Sequence, residues 1–461
     1  FSITLSFDYW KNDDAAYWGT PFINGRIDPR TRKTNYNILD SKAVYEDYWT
    51  RLELDWNITN NLELHNEMYA YVADRHWRNL ENYAFVPSTE LINRTGFLEI
   101  IHDQTQIGDR FHALINHHLF GRNNRFLLGF DLNNIDFERP TNDFSGSSDV
   151  DPFNPNLGRF LNLSGTVPRI ESTTDQFSLF AEDTLEVWDA LKLVGGFRFE
   201  HIELNSRNLF EGTSFEQEFN PVTWRAGFVY EPVAGLSLYG QRSTGVDPVS
   251  DSLITLSESF DLSSGRQYEL GLKHSFWQNR IEWTFAYFDI VKEDLLTRDP
   301  RDPARTLQIG EQSSNGIELS AAIHPLANLT MSGNFSRLNA QFDEFSEDIG
   351  GVAISRTGNL PPNVPETLGN LWLYYSPASH IDLGVGARYV GKRVADNANM
   401  IELDAYTSVD IFATWKYKWG ALTVRRRNLS DEQYAIAPYN AGTQVILGDP
   451  RSYEVVLRVN L

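Results

Sequence analysis

The stretch RSYEVVLRVNL, residues 451–461, alternates between apolar and polar side chains almost without interruption. One set of alternate positions is apolar: Tyr453, Val455, Leu457, Val459 and Leu461. The other set is polar except at Val456: Ser452, Glu454, Arg458 and Asn460. Successive side chains of a β-strand point to opposite faces, so the stretch predicts a strand with one apolar and one polar face.

The same alternation recurs far upstream. Residues 1–9 (FSITLSFDY) and residues 48–58 (YWTRLELDWNI) each place apolar side chains at every second position. A soluble β-sandwich also has one apolar and one polar face per sheet. Alternation alone therefore leaves a membrane barrel and a soluble β-protein both open.

Connection lengths separate these two classes. Short turns are predicted at 59–61, 121–124, 188–190, 232–235, 277–279, 324–328, 377–380 and 418–420. Long segments are predicted at 77–93, 139–170, 245–261, 298–304, 343–364, 394–401 and 431–450. Short and long connections alternate if Arg94–Phe120 is one long strand with an irregularity near Gly108. The count is about eighteen strands, and this asymmetry is typical of outer-membrane barrels. We therefore predict an all-β fold, a transmembrane antiparallel β-barrel that occupies residues 1–461 as a single domain.

Composition excludes several classes of protein. Only 41% of the residues are hydrophobic and no run of about 18 apolar residues occurs, so transmembrane helices are excluded. The formal net charge of −22 argues against a nucleic-acid partner, which would require an excess of Lys and Arg. The absence of Cys excludes disulfides and thiolate metal sites. No signal for an enzyme is present: the G-x-S-x-G, H-E-x-x-H and P-loop patterns are all missing.

Aromatic side chains cluster where strands are expected to end. Rings with one polar atom favour the headgroup level of a membrane, which predicts two aromatic girdles. The residues concerned are Tyr9, Trp10, Tyr48, Trp49, Trp188, Trp277, Trp372, Tyr374, Tyr375, Trp415, Tyr417 and Trp419.

Two groups of residues suggest metal ions only weakly. Asp143, Asp149 and Asp151 lie in a Gly- and Asn-rich segment and form a possible calcium site, although their spacing fits no EF-hand. His117 and His118 are adjacent, and neighbours on a strand point to opposite faces. We expect no resident metal in the histidine pair.

Several longer segments resemble one family of membrane proteins. They are GRQYELGLK (residues 265–273), SNGIELS (residues 314–320), NLSDEQY (residues 428–434) and GDPRSYEVVLRVNL (residues 448–461). Together they resemble the barrel of TonB-dependent ferric-siderophore receptors of the Gram-negative outer membrane, and the resemblance covers essentially the whole chain. On strand Gly316–Ser320, we expect Ile317 and Leu319 to face lipid and Glu318 to face the lumen.

The resemblance implies a barrel of about twenty-two strands with a plug domain in its lumen. Compared with that family pattern, the chain begins in mid-barrel. We therefore expect the plug, the TonB-binding motif and the first strands to lie outside it. Leu461 stands where the family usually carries Phe or Trp. Arg425, Arg426 and Arg427 are consecutive, so at least one of them must lie at the rim or face lipid.

The function implied by the resemblance is uptake of a ferric siderophore, driven by TonB. The iron arrives inside its chelator, so no cofactor is expected beyond the possible loop calcium. Expected partners are the ferric siderophore, TonB, and outer-membrane lipid with lipopolysaccharide. We expect a monomer.

Ligand contacts are expected from aromatic and Arg side chains in the long loops. Aromatic faces suit catecholate or aryl chelators, and Arg suits an anionic complex. The candidates are Tyr17, Trp18, Phe22, Trp77, Tyr83, Phe85, Arg266, Arg298, Arg301 and Arg305. Packing within the loops and contact with lipopolysaccharide are the alternatives for each of them.

Two other functions remain open at this point. A passive outer-membrane porin is expected if the chain is natively plugless. A soluble β-rich binding protein, such as a secreted lectin, is the third class. A requirement for detergent would separate the soluble protein from both membrane proteins.

Overall fold

The computed structural model describes residues 1–247, 260–298 and 306–460. In that part of the chain the strands are β1 (Ser2–Asp14), β2 (Thr20–Pro21), β3 (Lys42–Thr59), β4 (Leu62–Val86), β5 (Leu91–Leu119), β6 (Arg122–Thr141), β7 (Ser145–Val150), β8 (Val167–Trp188), β9 (Leu191–Asn208), β10 (Thr213–Phe219), β11 (Val222–Val233), β12 (Leu236–Val246), β13 (Ser264–Phe276), β14 (Ile281–Arg298), β15 (Thr306–Leu326), β16 (Leu329–Glu344), β17 (Ser346–Asp348), β18 (Ala353–Ser355), β19 (Thr367–Ala378), β20 (Ile381–Val390), β21 (Arg393–Val394), β22 (Glu402–Leu403), β23 (Tyr406–Tyr417), β24 (Gly420–Arg427), β25 (Ala435–Tyr439), β26 (Gln444–Leu447) and β27 (Ser452–Val459). A short 3-10 helix spans Pro29–Thr31. No described helix is long and apolar enough to cross a membrane.

Twenty of these strands form one sheet, and the predicted all-β barrel class is confirmed. Two members of the sheet are side additions, because β7 pairs with β5 and β10 pairs with β9 outside the main succession. The other members number eighteen within the described residues, as the connection pattern predicted. The seven predicted short turns from 121–124 to 418–420 also lie between consecutive strands, with their bounds shifted by up to three residues.

The chain forms two compact units. Unit 1 contains Phe1–Phe228, Arg242–Arg266 and Lys292–Gly310. Unit 2 contains Val229–Gln241, Gln267–Val291 and Glu311–Leu461. In unit 1 the antiparallel order is β1, β3, β4, β5, β6, β8, β9. In unit 2 the order is β15, β16, β19, β20, β23, β24, β27.

Each unit has an apolar face and a polar face. In unit 1 we define the apolar face as the side of the sheet that carries Leu5 and Leu52, which are directly opposite each other on β1 and β3. Leu5 is 72% exposed in the structure. The opposite side, the polar face, carries Glu53 opposite Glu67 on β4. An apolar side chain with this much exposed surface belongs against hydrocarbon, so the apolar face is the lipid face of the barrel.

Unit 2 repeats this arrangement at the C-terminal strand. Leu457 is opposite Leu422, and Val455 is opposite Val424. Leu457 is 58% exposed, while on the other side of β27 Glu454 accepts a 2.8 Å hydrogen bond from Arg425. These contacts confirm the two faces predicted for residues 452–459. Leu461 lies outside the described residues.

The three consecutive arginines follow the same rule. Arg425 and Arg427 both bind the carboxylate of Glu454, at 2.8 and 3.1 Å, on the polar face. Arg426 lies on the apolar face opposite Tyr453, and its guanidinium is 5.5 Å from the centre of that ring. It is one residue from the end of β24, so the predicted rim position is confirmed.

One predicted loop is wrong. The segment 77–93 was expected to be a long connection, but β4 continues through Val86 and β5 begins at Leu91, so residues 87–90 form a tight turn. β5 is a single 29-residue strand, which confirms the reading of Arg94–Phe120. Its irregularity lies at Gly96, where φ is +74°, and not at Gly108. One face of this extended part of the sheet is covered by the connections of unit 1, because Leu80, Tyr83 and Ile92 are fully buried against them.

The aromatic residues near strand ends do not all belong to girdles. Tyr9 and Tyr48 are opposite each other on the apolar face, with ring centres 5.0 Å apart, as a girdle requires. Trp10 and Trp49 are their sequence neighbours and therefore point to the polar face. The prediction failed for these two because it used position along the strand and ignored the face.

Candidate functional site

A continuous row of rings crosses the polar face of unit 1. It contains Trp10 of β1, Tyr45 of β3, Trp77 of β4, His102 of β5 and Phe137 of β6. Successive ring centres are 5.7, 5.3, 4.8 and 5.1 Å apart. We call these five side chains the aromatic wall. One ring comes from each of five adjacent strands, so the strand register holds the wall in place.

A second group of rings extends the wall along the strands. Trp49 lies 5.0 Å from Tyr71 and 6.1 Å from Tyr69, measured between ring centres. The Trp49 and Tyr69 rings are stacked with an interplanar angle of 18°. These residues stand at alternate positions of β3 and β4, so they share the polar face with Tyr45 and Trp77. The aromatic surface therefore extends along β3 from Tyr45 to Trp49 and along β4 from Tyr69 to Trp77.

Polar contacts fix the orientation of the rings. The indole Nε1 of Trp77 donates a 2.7 Å hydrogen bond to the hydroxyl of Tyr45. Arg75 lies opposite Tyr45, with its guanidinium 5.8 Å from the ring centre. Its Nη2 also donates to the hydroxyl of Tyr71 at 2.7 Å. The rings are thus restrained before any ligand arrives, which lowers the entropic cost of binding.

The charged groups beside the wall are paired. Arg75 binds Asp47 at 3.1 Å, and Arg51 binds Asp8 at 3.1 Å. Each pair has one cation and one carboxylate, so neither adds net charge to the surface. The wall offers aromatic faces with restrained polar edges, a surface suited to a ligand with a flat or apolar exterior.

Further along the same face lies a network of charged groups. Asp131 on β6 is opposite Arg110 on β5, with 3.1 Å between the carboxylate and the guanidinium, and it also lies 3.5 Å from Arg198. Arg198 in turn binds Glu200 at 2.5 Å. The Asp131 side chain is only 9% exposed. This network lines the lumen, where charged side chains are usual in barrels.

The predicted site residues of the first two long segments have different positions. Trp77 belongs to the aromatic wall. Tyr83 is fully buried in a cluster with Tyr36, Ile38, Leu80, Ile92, Phe97 and Val150. Trp18 and Phe85 pack against that cluster. Tyr17 is 37% exposed and Phe22 is partly buried. In this structure the cluster residues hold the connections of unit 1 together, so they present little surface to a ligand.

Of the four predicted arginines, only Arg266 has a side chain that the structure describes. Arg266 forms an ion pair with Glu293. Arg298 is the last residue of β14, and its side chain is not described. Arg301 and Arg305 lie outside the described residues. Their proposed contact with an anionic ligand therefore stays a prediction.

The suggested calcium ligands have separate partners. Asp149 accepts a 2.8 Å hydrogen bond from Asn93, and Asp151 accepts the backbone N–H groups of Phe153 and Asn154. Asp143 accepts from Ser164. Among the described residues, no cluster of three or more His, Asp or Glu side chains could hold a metal ion. The structure does not bring these three carboxylates together as one site.

Most of the aromatic wall was missed in the sequence. The signal was present, because β3 and β4 carry rings at alternate positions on their polar face, among them Tyr45, Trp49, Tyr69, Tyr71 and Trp77. Rings at lumen-facing positions are unexpected for a simple polar lumen. His102 and Phe137 had no such signal, because their contact with Trp77 depends on the pairing of β5 with its neighbours.

Comparison with known families explains the architecture. A family described as "TonB dependent receptor-like, beta-barrel" matches residues 1–429. The chain belongs to this family. It is a family of receptors and transporters, and the predicted resemblance is confirmed.

Two relatives illustrate the range of sequence similarity. The ferrichrome outer membrane transporter/phage receptor of Escherichia coli strain K12 is 26% identical over 330 residues, which is 67% of this chain and 43% of that protein. The probable TonB-dependent siderophore receptor PiuA of Acinetobacter baumannii is 22% identical over 484 residues, 95% of this chain and 65% of that protein. The chain thus spans less than two thirds of the length of these relatives.

Solved structures show the same receptor-barrel fold. The crystal structure of PiuA from Acinetobacter baumannii superposes with a TM-score of 0.88 at 20% identity, over 99% of this chain and 71% of that one. The ferric-catecholate import receptor Fiu from Escherichia coli K12, in its closed form, gives a TM-score of 0.83 at 15% identity, over 99% and 72%. At these identities the likeness shows the fold alone.

Proposed function

We propose that this protein is a Gram-negative outer-membrane receptor that imports a ferric siderophore by TonB-dependent active transport. The observation that carries the proposal is the aromatic wall on the polar face of a receptor barrel. Trp10, Tyr45 and Phe137 lie near strand ends that lead into the long connections 15–41 and 142–166, so a ligand could reach the wall from the outside of the cell. The iron is cargo within the chelator, and we propose no protein ligand to it.

The membrane environment follows from the same sheet. Its exposed apolar face would contact outer-membrane lipid, and the extended strands would contact lipopolysaccharide. TonB would supply the energy, since the outer membrane holds no ion gradient of its own. We also propose that the protein is a monomer.

The relatives support a siderophore cargo in general terms. The E. coli relative is named a ferrichrome transporter, and a further relative, from Yersinia enterocolitica, is named a ferrioxamine receptor and is 25% identical over 66% of this chain. A passive porin has no comparable support, because none of these relatives carries that name. The receptor is therefore the function we propose.

Iron uptake in whole cells tests this proposal. Cells that lack the gene should fail to take up at least one radioactive ferric chelate under iron limitation, and the intact gene should restore uptake. Uptake should disappear when TonB is also deleted. Uptake that persists without TonB would indicate a passive channel, and unchanged uptake of every chelate in the deletion strain would contradict the receptor function.

A substitution within the aromatic wall tests whether the wall binds the chelate. Trp77→Ala should reduce chelate uptake while the protein still reaches the membrane. A matched control is Trp277→Ala, because Trp277 is 54% exposed in the short turn between β13 and β14 and does not belong to the wall. Equal loss of uptake in both variants would mean that the wall is not the binding surface.

A further inference from the structure

Unit 2 contains a second polar-face site that the siderophore proposal does not use. It is a cavity of about 600 Å³ at the ends of β19, β20 and β23 where the long connections begin. Its lining includes Trp372, Arg388, Arg393, Tyr406, Asp410 and Tyr434. Cavities of roughly this size hold small organic molecules.

Arg393 brings a buried positive charge to this cavity. The residue is 4% exposed. Its Nη1 donates to Asn363 Oδ1 and to the carbonyl of Ile436, both at 2.9 Å, and its Nη2 donates to the carbonyl of Ala435 at 2.8 Å. Its Nε is buried without a hydrogen-bond partner, and no carboxylate of the described residues forms an ion pair with it. Only neutral oxygens therefore balance this guanidinium.

Arg388 adds a second cation at the same cavity. It lies on the polar face of β20, between Asn370 of β19 and Ser408 of β23. The side chain is exposed, and it has neither a hydrogen bond nor an ion pair to any residue that the structure describes. Burial lowers the pKa of Arg393, Tyr406 opposes this effect, and the positive charge of Arg388 adds to the lowering. The two guanidinium groups therefore repel each other across the cavity.

The acidic residues of the cavity form no direct ion pair with these arginines in the described structure. Asp410 accepts the backbone N–H of Asn428 at 2.9 Å, and neither Asp410 nor Asp449 forms an ion pair with Arg388 or Arg393 in the described structure. Arg427 also lines the cavity, but Glu454 already binds it. Two carboxylates near the cavity would disfavour a highly charged anion and tolerate a small one.

The remaining lining is aromatic. Tyr406 and Tyr434 are stacked with ring centres 4.0 Å apart and an interplanar angle of 16°. The guanidinium of Arg393 lies 5.6 Å from the centre of the Tyr406 ring. These rings exclude water from one side of the cavity, which strengthens the interaction of its cations with an anion.

We propose that this cavity binds a small oxyanion, a carboxylate or phosphate group, which Arg388 holds through its forked N–H donors. A guanidinium pairs with two oxygens of such a group at once, and the field of the buried Arg393 adds to the attraction. The site belongs to unit 2 and shares no residue with the aromatic wall. The inference therefore goes beyond the siderophore proposal and does not depend on it.

Titration calorimetry on the full-length receptor in detergent tests the site. The probes are acetate, succinate and inorganic phosphate, each compared with chloride at equal ionic strength. At least one oxyanion should bind to the intact protein. Arg388→Gln should weaken that binding by about tenfold or more, because the variant loses both the positive charge and the forked N–H donors. The oxyanion affinity of Arg388→Lys should lie between those of the intact protein and Arg388→Gln, because Lys keeps the positive charge but lacks the forked N–H donors.

Lys392→Gln is the matched control. Lys392 precedes Arg393, carries the same charge as Arg388 and is paired with Glu402 at 2.6 Å, but it does not line the cavity. Its loss should leave oxyanion affinity unchanged. Binding of carboxylates alone or of phosphate alone would support the site and assign the class of its ligand. Absence of oxyanion binding, equal affinity for chloride, or equal affinity in Arg388→Gln would overturn the proposal.

Discussion

Trp77 and Tyr45 meet edge to face across β3 and β4, with an interplanar angle of 88° and a 2.7 Å hydrogen bond from the indole to the phenol oxygen. Neither residue is opposite the other in the strand register, since Tyr45 pairs with Arg75 and Trp77 pairs with Ala43. The contact is diagonal, and each ring also touches a further ring of the wall, Trp10 beside Tyr45 and His102 beside Trp77. This geometry makes the pair the centre of the proposed ligand surface.

The first prediction concerns that pair. Trp77→Ala should weaken chelate binding by several-fold to about tenfold, because an aromatic contact contributes roughly 0.5–1.5 kcal/mol beyond its area. Trp77→Phe should lose less, since it keeps a ring and removes only the N–H donor. Quenching of tryptophan fluorescence by a ferric chelate measures the affinity. Full affinity in Trp77→Ala would exclude this residue from the ligand surface.

A second prediction concerns the lipid face of β27. Leu457→Arg should reduce the free energy of unfolding by about 2–4 kcal/mol if the residue lies near mid-bilayer. Asn460→Arg should cost less, because Asn460 follows the strand and its N–H donates to Trp419 next to a short turn. Denaturant titration in lipid vesicles gives both values. Equal costs would contradict the assignment of the faces.

The third prediction concerns the close approach of Gly108 to Tyr69. A methyl group at residue 108 would lie 2.3 Å from the Tyr69 ring, a distance that forces one of them to move. Gly108→Ala should destabilise the protein by about 1–3 kcal/mol, as overpacking does. The cost should shrink when Tyr69 is also replaced by Ala, and a double-mutant cycle measures the coupling.

Gly195→Ala is the control for that substitution. A methyl group at Gly195 would meet no atom within 4 Å, so its replacement should be close to neutral. A cost at Gly108 that is unaffected by the loss of Tyr69 would show that the ring is not the cause.

A fourth prediction concerns the buried carboxylate of the lumenal network. Asp131→Asn removes the partner of both Arg110 and Arg198 and should destabilise the protein by about 1–3 kcal/mol. The expected loss of stability is modest because Arg110 is half exposed and water screens its ion pair with Asp131. Asp189→Asn is the control, since its side chain is 97% exposed although it binds Arg122 at 2.7 Å. That pair should contribute at most about 1 kcal/mol, and equal losses would count against the network.

The fifth prediction concerns high pH and the buried cluster of unit 1. Tyr36 lies in the connection between β2 and β3, its hydroxyl donates to the carbonyl of Pro152 at 2.5 Å, and burial raises its pKa to about 12. A pKa above the unfolded value means that the protonated form stabilises the fold. This stabilisation is complete below pH of about 10 and is lost as the pH rises toward about 12.

Limited proteolysis of residues 151–166 measures this effect. In the wild type, cleavage should accelerate as the pH rises from about 10 to about 12, the range in which Tyr36 loses its proton. The Tyr36→Phe variant should be cleaved faster than the wild type at neutral pH, and its cleavage rate should depend less on pH. The remaining dependence would come from Tyr83, whose pKa burial also raises. An identical pH profile in the variant would exclude Tyr36 as the titrating group.

Much of the fold could be read from local pattern. Side chains on a strand alternate with a period of two, so the sequence alone assigned the faces of β27 and of Arg425–Arg427. Turn residues and connection lengths were enough for the strand count, since both depend on neighbours in sequence. The extension of β4 and β5 over residues 77–93 could not be read in this way, because Leu80, Tyr83 and Ile92 are buried by connections that are distant in sequence.

The binding surfaces depended on pairing between distant strands. Trp77, His102 and Phe137 are remote in sequence, and their rings meet because β4, β5 and β6 are in one particular register. Arg388 and Arg393 are close in sequence, yet their lack of carboxylate partners follows from the packing of unit 2. Side-chain polarity therefore specified the faces of each strand, whereas register and burial selected which side chains share a site.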